Sequence, residues 1–358
     1  MLIQNMKGVL LHGGSGTRLR PFTYTDVKQL LPIAGKPISE YALENLKDVG
    51  IKDIDIVIGS VGGNEVKSYY GNGEKWGVSI SYTYQEKPLG IAHAISLTKE
   101  FVGNDDFIVF LGDNYLNDGI SSLYDAYSSD EMDGMLALVK VKNPSQFGIA
   151  EVRNGKIVKL VEKPKEPKSD LAIAGVYFLK PEIFDVISSL KPSARGEYEI
   201  TEAYQDMIDH GKRIGYSIVT GWFKDTGTVD DFLECNRLVL DKIPNNPSSA
   251  KKNISGRVFI DPSASVDENS TILGPCYVGP NAVINNCYVG PFTSIGAGCK
   301  VNNADVEDSI LMDGAIIDLG SSATVRKSII GPNARVSVGK DPKKVIRLIL
   351  GRDSSVEL

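Results

Sequence analysis

The sequence predicts two architectures in succession: an α/β domain on a mostly parallel sheet, then a parallel β-helix. Three observations carry this. Up to about residue 240, apolar runs of strand length alternate with amphipathic helical stretches, the pattern of a sheet covered on both faces. A Pro/Asn/Ser/Lys-rich stretch, IPNNPSSAKKNISG, interrupts it at 243–256 and reads as a linker. A six-residue aliphatic period follows, the mark of a β-helix. At roughly 100–200 residues per domain, a chain of 358 residues has room for both. The expected boundaries are 1–242 for the α/β domain, 243–256 for the linker, 257–340 for the coil and 341–358 for a tail.

The elements follow in order. KGVLLHGG reads as a buried strand entering a glycine loop. PISEYALENLKDVG is an amphipathic helix with Tyr41, Leu43, Leu46 and Val49 as apolar positions and Gly50 as its stop. DIDIVIGS is a strand, NEVKSYYG a short helix, VSISYTYQ an alternating strand and GIAHAISLTKEFVG another helix. DFIVFLGDN is a buried strand ending in a polar turn. In such sheets ligands bind beyond the carboxyl ends of the strands, so the polar loops after strands are the places to look for chemistry.

In the second region Ile260, Val266, Ile272 and Val278 are six apart. After a one-residue slip, Val283, Val289, Ile295 and Val301 repeat the spacing, and Ile310, Ile316, Ile330 and Val336 continue it. Each unit is expected to form one flat side of a triangular coil, with its aliphatic residue inward. The pattern resembles the left-handed β-helix of many acyltransferases and sugar nucleotidyltransferases. The tail, DPKKVIRLILGRDSSVEL, breaks the period. Its VIRLIL core is expected as a strand or short helix packed on the coil or on a neighbouring subunit.

Composition narrows the function. Apolar residues make up 42% and charged residues 23%, an ordinary globular profile. A net charge of −6 and a pI near 5.3 argue against broad capture of nucleic acid, so any phosphate chemistry must use local basic groups. Cys235, Cys276, Cys287 and Cys299 form no CxxC pair and read as buried free thiols. The N-terminus lacks a signal-peptide pattern, and no apolar stretch approaches membrane-spanning length. The expected location is the cytoplasm, with no membrane partner.

The densest signal is GGSGTRLRPFTYTDVKQLLPIAGKPIS, residues 13–39. Gly13, Gly14 and Gly16 let the backbone approach a ligand and present N–H groups to phosphate oxygens. Arg18 and Lys28 add fixed positive charge where a polyphosphate would lie. No GK[ST] follows, so this is not a Walker loop.

The string is similar to the signature of sugar-1-phosphate nucleotidyltransferases, and KQLLP to their glucose-1-phosphate thymidylyltransferase branch. YQEKPLGIAHA, FLGDN, FGIAEV, VEKP, LAIAGVYFL, RGEYEIT and WFKDTGT agree in order, and the appended coil matches the long form. The resemblance implies a Rossmann-like nucleotide-diphospho-sugar transferase domain. It implies that dTTP (or UTP) and glucose 1-phosphate give a nucleotide sugar and pyrophosphate, with Mg²⁺ as cofactor. The sugar phosphate is already an anion, so positioning and charge neutralisation are what this chemistry needs.

The resemblance also assigns residues. Asp113 and Asp225 would hold Mg²⁺. Arg18, Lys28 and Lys163 would be the catalytic cations, with Lys163 on the phosphate of the sugar. Gly13, Gly14, Gly16, Thr17, Gln85, Pro88 and Gly90 would bind the nucleotide. Gln85 is expected to read the base, and Gly90 to let it lie close. Asn114, Gly148, Glu162, Ala174 and Gly175, with the backbone at Ile173, would hold the sugar phosphate. Tyr177 reads as core.

His12 and Lys224 depart from the short-form pattern, and His12 is expected to pack. A homo-oligomer is expected. The alternatives are a UTP-dependent uridylyltransferase, a bifunctional enzyme that also acetylates, and a non-catalytic regulatory subunit. The three histidines, His12, His93 and His210, all precede the coil. A histidine base for acyl transfer is therefore missing there.

Overall fold

The computed structural model describes residues 6–14, 16–244, 253–320, 323–337, 345–346 and 348–357. In chain order the first elements are β1 (Lys7–His12), the hairpin β2 (Pro32–Ile33) and β3 (Lys36–Pro37), α1 (Ile38–Asp48), β4 (Asp53–Ile58), α2 (Gly63–Tyr70) and β5 (Ser79–Tyr84). Next come α3 (Ile91–Ser96), α4 (Lys99–Val102), β6 (Phe107–Leu111), β7 (Asn114–Leu116), α5 (Ser121–Ser128) and β8 (Gly134–Lys140). Then follow β9 (Gly148–Arg153), β10 (Lys156–Glu162), β11 (Leu171–Leu179), α6 (Ile183–Ser189), α7 (Ile200–Asp209), β12 (Ile214–Ile218), β13 (Phe223–Asp225) and α8 (Val229–Leu240).

The chain divides into two compact units. The first is Met1–Ser15 with Ile38–Asp225; the second is Gly16–Pro37 with Thr226–Leu358. The sequence reading ended the first domain at 242 and kept the glycine-loop segment in it. The structure instead groups Gly16–Pro37 and α8 with the coil. The reason is packing: α8 lies on β2, and its buried Asn236 accepts a bond from the Ala34 N–H at 2.9 Å.

The first unit is built on a nine-stranded sheet. The path β5-β4-β1-β6 is parallel throughout. Beyond β6, β11 runs antiparallel to β6, β8 and β9, and β9 pairs antiparallel with β10. β1 and β6 are central, and Val9, Leu10, Ile108, Val109 and Phe110 are fully buried. This explains their unbroken apolar runs. α1 buries Ile38, Ala42, Leu43 and Leu46, while Val49 stays partly exposed. Gly50, at φ +88°, ends the helix as expected. The predicted helix over 90–103 is two short helices, α3 and α4, separated at Leu97–Thr98. There Thr98 Oγ1 turns back to the Ile95 carbonyl at 2.8 Å.

The coil consists of three six-stranded parallel sheets. One inward column follows the register Ile260, Val278, Ile295, Leu311, Ile330, Leu350. Another runs Val266, Ile284, Val301, Ile317, Val336. Three assignments of the hexapeptide period therefore shift by one residue: Ile284, Leu311 and Ile317 face the coil core, not Val283, Ile310 and Ile316. Each pair offers two adjacent aliphatics. In the three-residue strands at 283–285 and 316–318 the central residue points inward, and strand register decides between Ile310 and Leu311.

Cys235, Cys276, Cys287 and Cys299 are buried and form no disulfide, and burial pushes the pKa of the Cys276 and Cys299 thiols up to about 12. The coil extends past both expected ends. Ile254–Ser255 pairs with Ile272–Leu273, and Val345–Ile346, Ile349–Leu350 and Ser355–Glu357 close the last turn. The remaining linker positions 245–252 lie outside the described residues.

Candidate active site

The site begins where β6 stops. Asp113 follows the strand across Gly112, and Asn114 opens β7. β13 pairs antiparallel with β7, in a register that sets Asp225 opposite Asn114. Asp113 and Asp225, far apart in sequence, thereby line one cleft. Asn114 is buried and donates Nδ2–H to the Ala174 carbonyl at 3.1 Å. That carbonyl is turned out by an irregularity in β11 between Ile173 and Tyr177. Gly175 sits in it at φ +66°, and a Cβ there would overlap Asn114 Nδ2. Only glycine fits this bend.

The opposite wall comes from β9, β10 and α7. Gly148 has no room for a side chain: a Cβ would lie 2.7 Å from Thr201 Cγ2 and 2.9 Å from Glu162 Oε2. Glu162 receives bonds from Thr201 Oγ1 and Arg195 Nη1, both at 3.4 Å. Burial and then the neighbouring Glu199 raise its pKa above the usual carboxylate range, against the pull of Lys163 and Arg195. Lys163 follows β10 at φ +42°, with its N–H on the Phe147 carbonyl at 3.0 Å and its Nζ 3.8 Å from Glu162 Oε1. A lysine held in the left-handed region costs of order 1 kcal/mol, a conformation that persists where surroundings enforce it. Tyr177 is buried and stacked on Tyr204 at 6.2 Å, the packing role expected, though it also floors the cleft.

At the ends of β1 and β5 lies a second group. Gln85 is buried, and its Nε2 meets His93 Nδ1 at 2.9 Å and the Gly90 carbonyl at 3.4 Å. Its Oε1 is 3.4 Å from where a side chain on Gly13 would begin. Gly14 takes φ +102° with open space around it. Gly90 also takes φ +102°, but its missing Cβ makes room for the Tyr198 backbone, with the carbonyl 2.6 Å away. Pro88 beside it is exposed. His12 packs as expected, edge-on to Tyr70 at 5.8 Å. Both its ring nitrogens lack a hydrogen-bond partner among the described residues. Burial pushes its pKa down to about 3, so it stays neutral at working pH.

Arg18 and Lys28 belong to the other unit. Gly16 at φ +55° starts the 3-10 turn Thr17–Leu19, on which Thr17 and Arg18 are exposed. Thr23 Oγ1 holds the Gly16 carbonyl at 2.7 Å. Lys28 is half-buried on the turn Lys28–Leu30.

The structure thus gathers Asp113, Asn114, Gly148, Glu162, Lys163, Ile173 and Asp225 in one cleft. Sequence reasoning missed Gln146, Phe147, Thr201 and Phe223, which line it too. Thr201 was within reach, since it ends the RGEYEIT motif. Among the described residues no group of three or more His, Cys, Asp or Glu could hold a metal. Two carboxylates on one cleft suit a hard cation that completes its shell with water and phosphate oxygens, as Mg²⁺ does.

Two acids after β6 and in β13, with a glutamate and a lysine at the end of β10, give one cleft of a mixed sheet the acidic and basic groups of an α/β enzyme site. The nucleotidyl transferase family model matches residues 7–242, and a GMPPB C-terminal domain model matches residues 272–357. A glucose-1-phosphate thymidylyltransferase from Streptomyces griseus is 39% identical over 357 residues, covering 99% of each chain. A solved structure from Bacillus anthracis, assigned as a glucose-1-phosphate thymidylyltransferase and bound to sucrose, is 40% identical. It covers 65% of this chain and 94% of its own, with a TM-score of 0.62. A UDP-glucose pyrophosphorylase bound to UDP-glucose is 29% identical over 66% of this chain and 99% of its own, with a TM-score of 0.58. The chain belongs to the nucleotidyl transferase family. No helix among the described residues is long and apolar enough to cross a membrane.

Proposed function

We propose that the protein is a glucose-1-phosphate thymidylyltransferase: it joins dTTP to glucose 1-phosphate and releases pyrophosphate. The observation that carries this reading is the cleft in which Asp113, Asp225, Glu162 and Lys163 converge. The activity of the Streptomyces relative supports it.

A phosphate oxygen of the sugar forms the new bond to the α-phosphorus of dTTP. The bond from that phosphorus to the β-phosphate oxygen breaks, and pyrophosphate carries the electron pair away. Lys163 Nζ neutralises and aims the sugar phosphate. Glu162, held by Thr201 and Arg195, accepts hydrogen bonds from sugar hydroxyls. The main chain at Ala174 and Gly175, braced by Asn114, lines the sugar. Arg18 and Lys28 take up charge on the β- and γ-phosphates, and N–H groups of Gly13, Gly14, Gly16 and Thr17 bind phosphate oxygens. Asp113 and Asp225 are the residues that would hold Mg²⁺, which supplies charge neutralisation at the reacting phosphates. Gln85 pairs with the base through the carboxamide that His93 orients.

A second reading, UTP as the nucleotide, is favoured by one feature. The carboxamide of Gln85 matches the imide edge that thymine and uracil share. The thymine methyl adds only about 1–3 kcal/mol in a fitted pocket. Pyrophosphate release across dTTP, UTP, GTP, CTP and ATP with several hexose 1-phosphates tests both. Highest kcat/KM with dTTP and glucose 1-phosphate supports the first reading, and a UTP preference supports the second. Release with neither nucleotide contradicts both.

A further inference from the structure

The segment that carries Arg18 and Lys28 is poor in structure of its own. It consists of three 3-10 turns and a hairpin whose strands are two residues each. Hairpins of that size do not hold themselves in water. The structure supplies the support from the coil. The turn of the β2–β3 hairpin puts Ala34 at φ +47° and Gly35 at φ +85°, the two left-handed positions of a type I′ turn. A side chain on Gly35 would overlap the ring of Tyr277 on the coil, so that ring is seated against the bare turn. Tyr277 is in turn stacked on Phe259 at 5.3 Å and 4°.

Asn236 of α8 fixes the same turn from the side. It is 1% exposed. Its Oδ1 accepts from the Ala34 N–H at 2.9 Å and from Ser294 Oγ at 2.7 Å, and its Nδ2 donates to the Phe292 carbonyl at 3.2 Å. One side chain therefore ties the hairpin tip to two coil residues. Arg237, next to it, clamps Asp308 of the coil with Nε and Nη2, a bidentate charge-assisted pair. Nearer Arg18, the Arg352 guanidinium donates to Asp26, and Pro21 packs on Gly351 of the last coil turn. The segment is held at both ends by the coil.

We propose that the coil is a mount for the triphosphate-binding segment, with Tyr277 and Asn236 as positioning residues that set affinity for the nucleoside triphosphate through Arg18 and Lys28. The proposal rests on the reading above that these two cations bind the triphosphate. It assigns the coil a task in catalysis that needs no second active site.

The test uses the full-length protein and two readouts. Tyr277→Ala should raise the KM for dTTP about tenfold and leave the KM for glucose 1-phosphate within about twofold. Tyr277→Phe, which keeps the ring, should restore the wild-type value. Gly35→Ala attacks the same contact from the segment side and should reproduce the effect if Tyr277→Ala does not fold. Amide hydrogen exchange at Ala34 should accelerate in Tyr277→Ala and in Asn236→Leu. Equal rises in both KM values, or unchanged exchange at Ala34, overturns the mount. Accelerated exchange with no change in the KM for dTTP overturns the link to Arg18 and Lys28 while leaving the mount. A wild-type protein without nucleotidyl transfer fails the functional reading instead.

Discussion

Asn114 and Asp225 face each other across the β7–β13 ribbon. That pairing sets the last residue of a late strand beside the loop that ends a central one. It is what brings two acids more than a hundred residues apart to the same cleft. Asn114 cannot drift, because its amide is bonded to the Ala174 carbonyl.

The first consequence concerns the metal. Asp225→Asn and Asp113→Asn should each lower kcat by roughly 10²–10³, the scale seen when one transition-state-stabilising group is removed. Chelation of divalent cations should abolish pyrophosphate release, and added Mg²⁺ should restore it. A dose–response in Mg²⁺ at fixed dTTP checks this, with the half-saturating concentration shifted upward in both variants.

A second expectation concerns pH. Burial and Glu199 raise the Glu162 pKa, so the carboxylate protonates on acidification before an ordinary glutamate would. In the proposed reaction its ionised form accepts the sugar hydroxyls. The acid limb of kcat/KM for glucose 1-phosphate should therefore lie above the usual glutamate value of about 4.3. Glu162→Gln should lower kcat/KM about tenfold at neutral pH and flatten that limb. The pH profile for dTTP should change less.

The proposed role of Lys163 separates the two substrates. Lys163→Ala should weaken glucose 1-phosphate far more than dTTP, which separate titrations of each substrate read directly. Equal losses would remove Lys163 from the sugar phosphate.

Coil register gives a stability contrast. Ile284→Ala empties a position in the coil core and should cost about 2–4 kcal/mol. Val283→Ala, one residue away and only partly buried, should cost under about 1 kcal/mol. Denaturant midpoints of the two variants decide between the registers.

Much of this was legible in the sequence where the signals are local. The apolar run before Asp113 marks the end of a buried strand, and KGVLLHGG marks β1 running into a glycine loop. The coil announced itself by its period. Its phase was ambiguous wherever two aliphatics adjoin, as at Val283–Ile284 and Ile316–Ile317, because only strand pairing decides which one turns inward. What stayed hidden was non-local. Nothing near Pro32–Pro37 indicates that Asn236 holds its turn, and Thr201 reaches the cleft only because α7 packs on β10. Nothing local in YQEKPLGIAHA shows that a side chain on Gly90 would meet the Tyr198 main chain, a neighbour that only folding brings there.

The proposed reaction is attack by the sugar phosphate on the α-phosphorus of dTTP. Glucose 1-phosphate carrying ¹⁸O in the non-bridging oxygens of its phosphate tests it most directly, with mass spectrometry of both products. All the label should appear in dTDP-glucose, and the pyrophosphate should be unlabelled. Label in pyrophosphate, or no nucleotide sugar formed, would contradict it.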